Sequence, residues 1–203
     1  MEKAQTSCAK MGRPREFDED AALDAAMCVF WEKGYEGTSL DDLTEAMEIN
    51  RSSLYSTFVD KENLFRRVIE RYQAGPLSFI HQALHQPTAR AVVENLLRST
   101  VRFLNDGSHP RGCLSLQGGM ACGSGNEEAN KALLDWRNQG LLFIQKRMQR
   151  AKAEGDLAKD TDPKDFARLV VILLNGLSVQ AVNGATVAEM NRAVELALKS
   201  LPL

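Results

Sequence analysis

Residues 38 to 64, TSLDDLTEAMEINRSSLYSTFVDKENL, constrain the fold most, because they encode two helices too short to stand alone. Thr38 or Ser39 caps the first, with Asp42 in the return position of a capping box and Leu40, Leu43 and Met47 on one face. Ile49 falls in a tight connection. Asn50 then offers a second N-cap, and Leu54 and Phe58, one turn apart, leave only one side of the next helix apolar. Asp60 caps a third helix that carries Leu64, Phe65, Val68, Ile69 and Tyr72 inward. Two short helices joined by a tight turn, the second rich in small hydroxyls, form a helix-turn-helix shaped for a major groove.

The run SLYSTFVDKENLF resembles the signature of the tetracycline-repressor-like (TetR/AcrR) transcription regulators: Leu-Tyr, then Phe, then Lys-Glu and Leu at this spacing. Upstream, GRPREFDEDAALDAAMCVFWEKGYEGTSLDDLTEAM is similar to the family's first two helices, including Phe30, Gly34, Tyr35 and Thr38. The motif match covers residues 12 to 65. Members of the family carry Gly in the turn where this chain has Glu48; a left-handed backbone there costs a non-Gly residue roughly 1 kcal/mol.

Composition sets the outer bounds. The chain has 203 residues, 44% of them hydrophobic and 26% charged, enough for one or two cored domains. A net charge of −2 excludes a generally basic protein, so nucleic-acid binding must rest on local Arg and Lys. Nothing reads as a signal peptide, and the longest apolar run, 169 to 174, is too short to span a bilayer, so a soluble cytoplasmic protein is expected. Cys8, Cys28, Cys113 and Cys122 show neither CxxC nor metal-ligand spacing, and reduced thiols are the expectation.

Residues 1 to 12 read as a disordered tail. Arg13 and Arg15 flank Pro14 in an arm of the kind that reaches a minor groove, a role similar arms play in the family; a solvated linker is the plain alternative. Residues 13 to 62 make the helix-turn-helix domain. With Leu54 and Phe58 turned in, Arg51, Ser52, Ser53, Tyr55, Ser56 and Thr57 point outward. Arg51 suits a guanine edge or a phosphate, and Tyr55 a thymine methyl or a phosphate oxygen. Thr38, Ser39 and Lys61 stand at helix N-termini, where phosphate is favoured, and the family resemblance makes them backbone clamps. Helix capping alone is the plain reading of Thr38, Ser39 and Asn50.

Residues 63 to 203 form an all-α effector-binding and dimerisation domain by resemblance. The helix from Lys61 reaches Ala74, is kinked or restarted by Gly75-Pro76 and stops at Pro87. Thr88 caps another; the segment from Cys113 is expected to be helical on resemblance. A long helix runs from Asn126 to Gly155. Asp162-Pro163 starts the next, and one more follows Thr186. Residues 169 to 174 are apolar all round, and one following helix cannot cover them, so a second copy is expected to do so. The expected homodimer face comprises Val170, Leu174, Leu177, Val187, Met190 and Val194, and resembles the family's four-helix interface.

No triad ordering, phosphate loop or carboxylate pair suggests catalysis, and no cofactor is implied. Phe79, Phe103, Cys113, Leu114, Gln117, Met120, Trp136 and Phe143 suit an apolar ligand pocket, which the resemblance places in the central helices; each alone reads equally as core. Cys113 follows a cation near a helix start, with Cys122 further on, so oxidant or electrophile sensing is the alternative to an inert buried thiol. His81, His85, His109 and Cys113 have spacing for a soft metal, but solvated histidines and no metal site are expected. The reading is a homodimeric repressor that leaves its operator when a small effector binds. The alternative is a helical ligand-binding or thiol redox protein whose N-terminal domain is only an interaction module; a salt-dependent shift of promoter DNA separates the two.

Overall fold

The computed structural model describes residues 17–120 and 127–202, and these form ten helices with no strand. Asp18 caps α1 (Glu19–Gly37) by accepting from the amides of Asp20 and Ala21. Gly34, at φ 69°, breaks the helical backbone near its end. Asn50 caps α3 (Arg51–Phe58) through the Ser53 amide, and a full Ser39–Asp42 capping box starts α2 (Leu40–Ala46). Between them Glu48 does adopt a left-handed backbone, φ 54°, without the glycine such a turn favours.

Four helices bury one continuous core: Phe30, Trp31, Leu43, Leu54 and Phe58 meet Leu64, Phe65 and Tyr72 of α4 (Lys61–Ala74). Each such side chain contributes roughly 1.5–3 kcal/mol on burial. Arg71 bridges to Asp20 at 2.7 Å and Asp24 at 2.5 Å, and Arg67 pairs with Glu19, so α4 is tied to α1 from outside as well. Gly75 ends α4, and the chain restarts as α5 (Ser78–Leu84). The head's core does not stop at α4. Leu114 of α7 (Leu114–Met120) and Leu133 of α8 (Glu127–Ala153) belong to it, both fully buried. The segment after Cys113 is therefore helical, and it plugs the head.

A second core joins α6 (Ala89–Leu104), α8, α9 (Pro163–Val182) and α10 (Val187–Ser200). Here the expected dimer face needs correction. Val170, Leu177, Met190 and Val194 are buried in this core, and Leu174 packs against it, so those five serve the protomer itself. The helical period puts a different stripe outside: Leu169, Ile172, Gly176 and Val179 on α9, with Val187 and Leu196 on α10. Of the expected set, only Val187 stays exposed. By length and composition α9 is also apolar enough to cross a bilayer, but its Phe166, Val170 and Ala181 face lies in the protein core.

Candidate functional site

The outer face of α3 carries Arg51, Ser52, Tyr55 and Ser56, all exposed, while Leu54 and Phe58 anchor its inner face; Ser53 and Thr57 lie between. Arg51 is held by Asp41 of α2 at 2.7 Å, which extends its guanidinium across the turn and keeps it fully charged. Ser39 is exposed, but its hydroxyl is committed to Asp42 at 2.7 Å and accepts from the Asp42 amide at 3.0 Å. Lys33 at 2.5 Å, then the Ser39 bonds, hold the Asp42 carboxyl far below the ordinary carboxylate range. Lys61 begins α4 and lies over the Tyr35 ring at 4.3 Å. Thr38 is different: it is buried and its hydroxyl donates to the Gly34 carbonyl at 2.7 Å, so its side chain closes the bend of α1 and is not offered to a phosphate. Arg13 and Arg15 lie outside the described residues.

At the other end of α3, Val59 has φ 69° and ψ −54°, with the Asp60 amide donating to the Phe58 carbonyl at 2.8 Å. This is a tight γ-turn, a strained backbone for a β-branched residue, and Val59 is 66% exposed. Nothing in the sequence signalled it, because valine does not mark left-handed backbone.

Behind the head, a cavity of about 130 Å³ lies between α5, α6, α8 and α9. Phe79, Phe103, Cys113 and Trp136 line it, together with Ile80, Leu104, Ile144 and Arg137. The remaining expected pocket residues fall elsewhere. Leu114 is fully buried in the head core, Gln117 is not in the cavity wall, and Phe143 is 45% exposed beside the His81 ring. The side chain of Met120 and the whole of Cys122 lie outside the described residues.

Cys113 is positioned by its neighbours. Gly112, at φ 91°, precedes it, and a Cβ there would come within 2.6 Å of Val182, so only glycine lets the chain pass. The Tyr72 hydroxyl donates to Cys113 Sγ at 3.5 Å, and Ser115 Oγ lies at 3.1 Å. Burial first, then Cys113, push the Tyr72 phenol well above its ordinary range, so it remains a donor. Cys28, by contrast, sits where burial and then Glu32 and Asp24 raise its thiol, away from reactivity. His109 stacks on Trp31 at 4.6 Å and beside Phe103 at 4.4 Å, while His85 bonds the His81 carbonyl. No cluster of three or more metal-binding side chains occurs among the described residues.

An exposed helix-turn-helix face on an all-helical body defines a class of DNA-binding regulators, and the comparisons agree with that class. Residues 22–68 match the family model for bacterial regulatory proteins of the tetR family, and residues 89–197 match the tetracyclin repressor-like C-terminal domain. The chain belongs to the TetR family of transcriptional regulators. It is 28% identical to the HTH-type transcriptional repressor ComR of Escherichia coli K12 over 97% of this chain and 96% of that one. It is 32% identical to the HTH-type regulator YezE of Bacillus subtilis 168, over 78% and 82%. A cysteine-substituted form of the TetR-family regulator CifR, solved with double-strand operator DNA, superposes with a TM-score of 0.90 at 41% identity, covering 94% of this chain and all of that one.

Proposed function

We propose that this TetR-family regulator is a homodimeric repressor that binds a palindromic operator and leaves it when a small molecule enters the cavity behind the head. The carrying observation is that one helix, α4, both seals the head that presents Arg51, Ser52 and Tyr55 and sends Tyr72 to Cys113 in the cavity wall. Filling that cavity can bias the tilt of the head only by favouring one placement of α4 over another. The exposed α9 stripe supplies the dimer face, and CifR, with its operator complex, supports DNA as the partner. The working place is the cytoplasm, where operators are.

In this reading, Arg51, Ser52, Tyr55 and Ser56 enter the groove, Lys61 holds a phosphate, Ser39 joins it by exchanging its hydroxyl bond to Asp42 for one to the backbone, and Arg13 and Arg15 reach a minor groove. Selection of bound genomic fragments by the purified protein, followed by footprinting, tests this. Inverted half-sites about one helical turn apart, ~34 Å, support the reading. A footprint without inverted repeats, or a protein that stays monomeric at micromolar concentration, overturns it.

Catalysis forms no part of this role. A second reading is favoured by the bonded, cavity-lining Cys113: an electrophile that alkylates its thiolate would disturb Tyr72 directly. Loss of operator binding on treatment with N-ethylmaleimide in the wild type, absent in Cys113→Ser, is the expected sign. Equal losses in both proteins discard it.

A further inference from the structure

The cavity wall holds a cation that operator binding does not use and whose one bond to the fold leaves donors over. Arg137 is the only charged residue among those described that line the cavity. Its Nη1 donates to the Ser115 carbonyl at 2.9 Å, and no carboxylate among the described residues pairs with it. A guanidinium has five N–H donors in a planar fork matched to a carboxylate, and among the described residues most of that fork has no partner.

We infer that the effector is a small organic acid, its carboxylate bound by Arg137 and its carbon body held between Phe79, Phe103, Trp136 and Ile144. The inference deepens the effector-release reading and depends on it only for the release of DNA. The physical argument turns on what filling the cavity does to Arg137. A neutral occupant expels water from a cation and offers at most a neutral acceptor in exchange, whereas a carboxylate replaces that water with a charge-assisted pair. Size limits the body. An apolar cavity of about 150 Å³ holds benzene, and this one is about 130 Å³, so a single aryl ring or a short branched chain fits. A bare inorganic anion would leave the aromatic walls uncovered.

The test compares phenylacetate with phenylacetamide, matched in shape and differing in charge, by titration calorimetry on the full chain. The acid is expected to bind about tenfold or more tightly than the amide, about 1.4 kcal/mol. In Arg137→Gln this preference should disappear, and in Arg137→Lys, which keeps the charge but loses the fork, it should persist in weakened form. If Arg137→Gln does not fold by circular dichroism, the wild-type ratio and Arg137→Lys still decide. Equal binding of the two compounds by the wild type, an acid preference that survives Arg137→Gln, or no binding of either at millimolar concentration overturns the inference. Operator anisotropy separates the two claims. If the acid binds through Arg137 and leaves operator affinity unchanged, the anion site stands and effector release falls; if the amide binds and releases DNA as well as the acid does, release stands and the anion site falls.

Discussion

The hydroxyl of Tyr72, on the helix that seals the DNA-binding head, donates to the sulfur of Cys113, in the wall of the central cavity, at 3.5 Å. The bond is a weak one for a buried phenol, and its value is positional: it joins α4 to the loop that ends at α7. Around it, Trp31 of α1, Phe103 of α6 and Trp136 of α8 all lie within 6.3 Å of the Tyr72 ring or of each other. Head and cavity therefore meet through a shared set of aromatic side chains.

Tyr72→Phe keeps this packing and removes only the hydroxyl. It is expected to lower stability by about 0.5–1.5 kcal/mol, leave effector-free operator affinity nearly unchanged and reduce the response to effector. Urea unfolding and operator anisotropy measure the three; an unaltered effector response detaches Tyr72 from the switch.

Val59→Gly relieves the γ-turn at the end of α3. The left-handed backbone costs valine more than the roughly 0.4–1 kcal/mol that glycine loses to unfolded-chain entropy, so a net gain of about 0.5–1 kcal/mol is expected. A lower urea midpoint would mean the turn is not strained in solution.

Lys61→Ala should weaken binding about equally on all operator variants and reduce the salt slope by about 1, because phosphate contacts carry no sequence information. Arg51→Ala does the same if Arg51 holds phosphate. A loss of tenfold or more confined to one base pair identifies base readout instead.

Gly176→Ala distinguishes protomer from dimer. Within the protomer a Cβ there meets nothing within 4 Å, so helix propensity alone predicts a gain of about 0.5–1 kcal/mol. Close packing of two α9 helices reverses that sign. Ile172→Lys, at a residue 57% exposed, should then yield a folded monomer by sedimentation, with poor operator binding. A stable dimer in both variants would place the interface elsewhere.

Acid sensitivity should be concentrated at the start of α2. The Asp42 carboxyl, held far below its ordinary 3.8, contributes stability that is present above that value and is lost as pH falls through and beneath it. Asp42→Asn should therefore be less stable than the wild type near neutrality, where the carboxylate contributes in full, and the two should converge as the pH falls below about 4. An equal acid slope in both proteins assigns the sensitivity to other carboxylates.

The sequence by itself determined what depends on neighbours along the chain. Capping residues at 18, 39, 50, 60, 88, 162 and 186, with apolar spacing of three and four, place helix starts and inner faces by local hydrogen bonding and burial. Residues 38 to 64 were therefore legible as a helix-turn-helix, with Arg51 and Tyr55 outside. Tertiary structure alone decided which of several apolar faces each long helix turns inward. In α9 every position from 169 to 174 is apolar, so periodicity had no contrast to read there, and Val170 went to the core while Leu169 and Ile172 went outside. The same holds for polar side chains whose partners are distant in sequence. That Thr38 bends back to Gly34, that Tyr72 meets Cys113 and that Arg137 borders a cavity follow from how α1, α4, α7 and α8 converge, a geometry fixed by packing across the whole core.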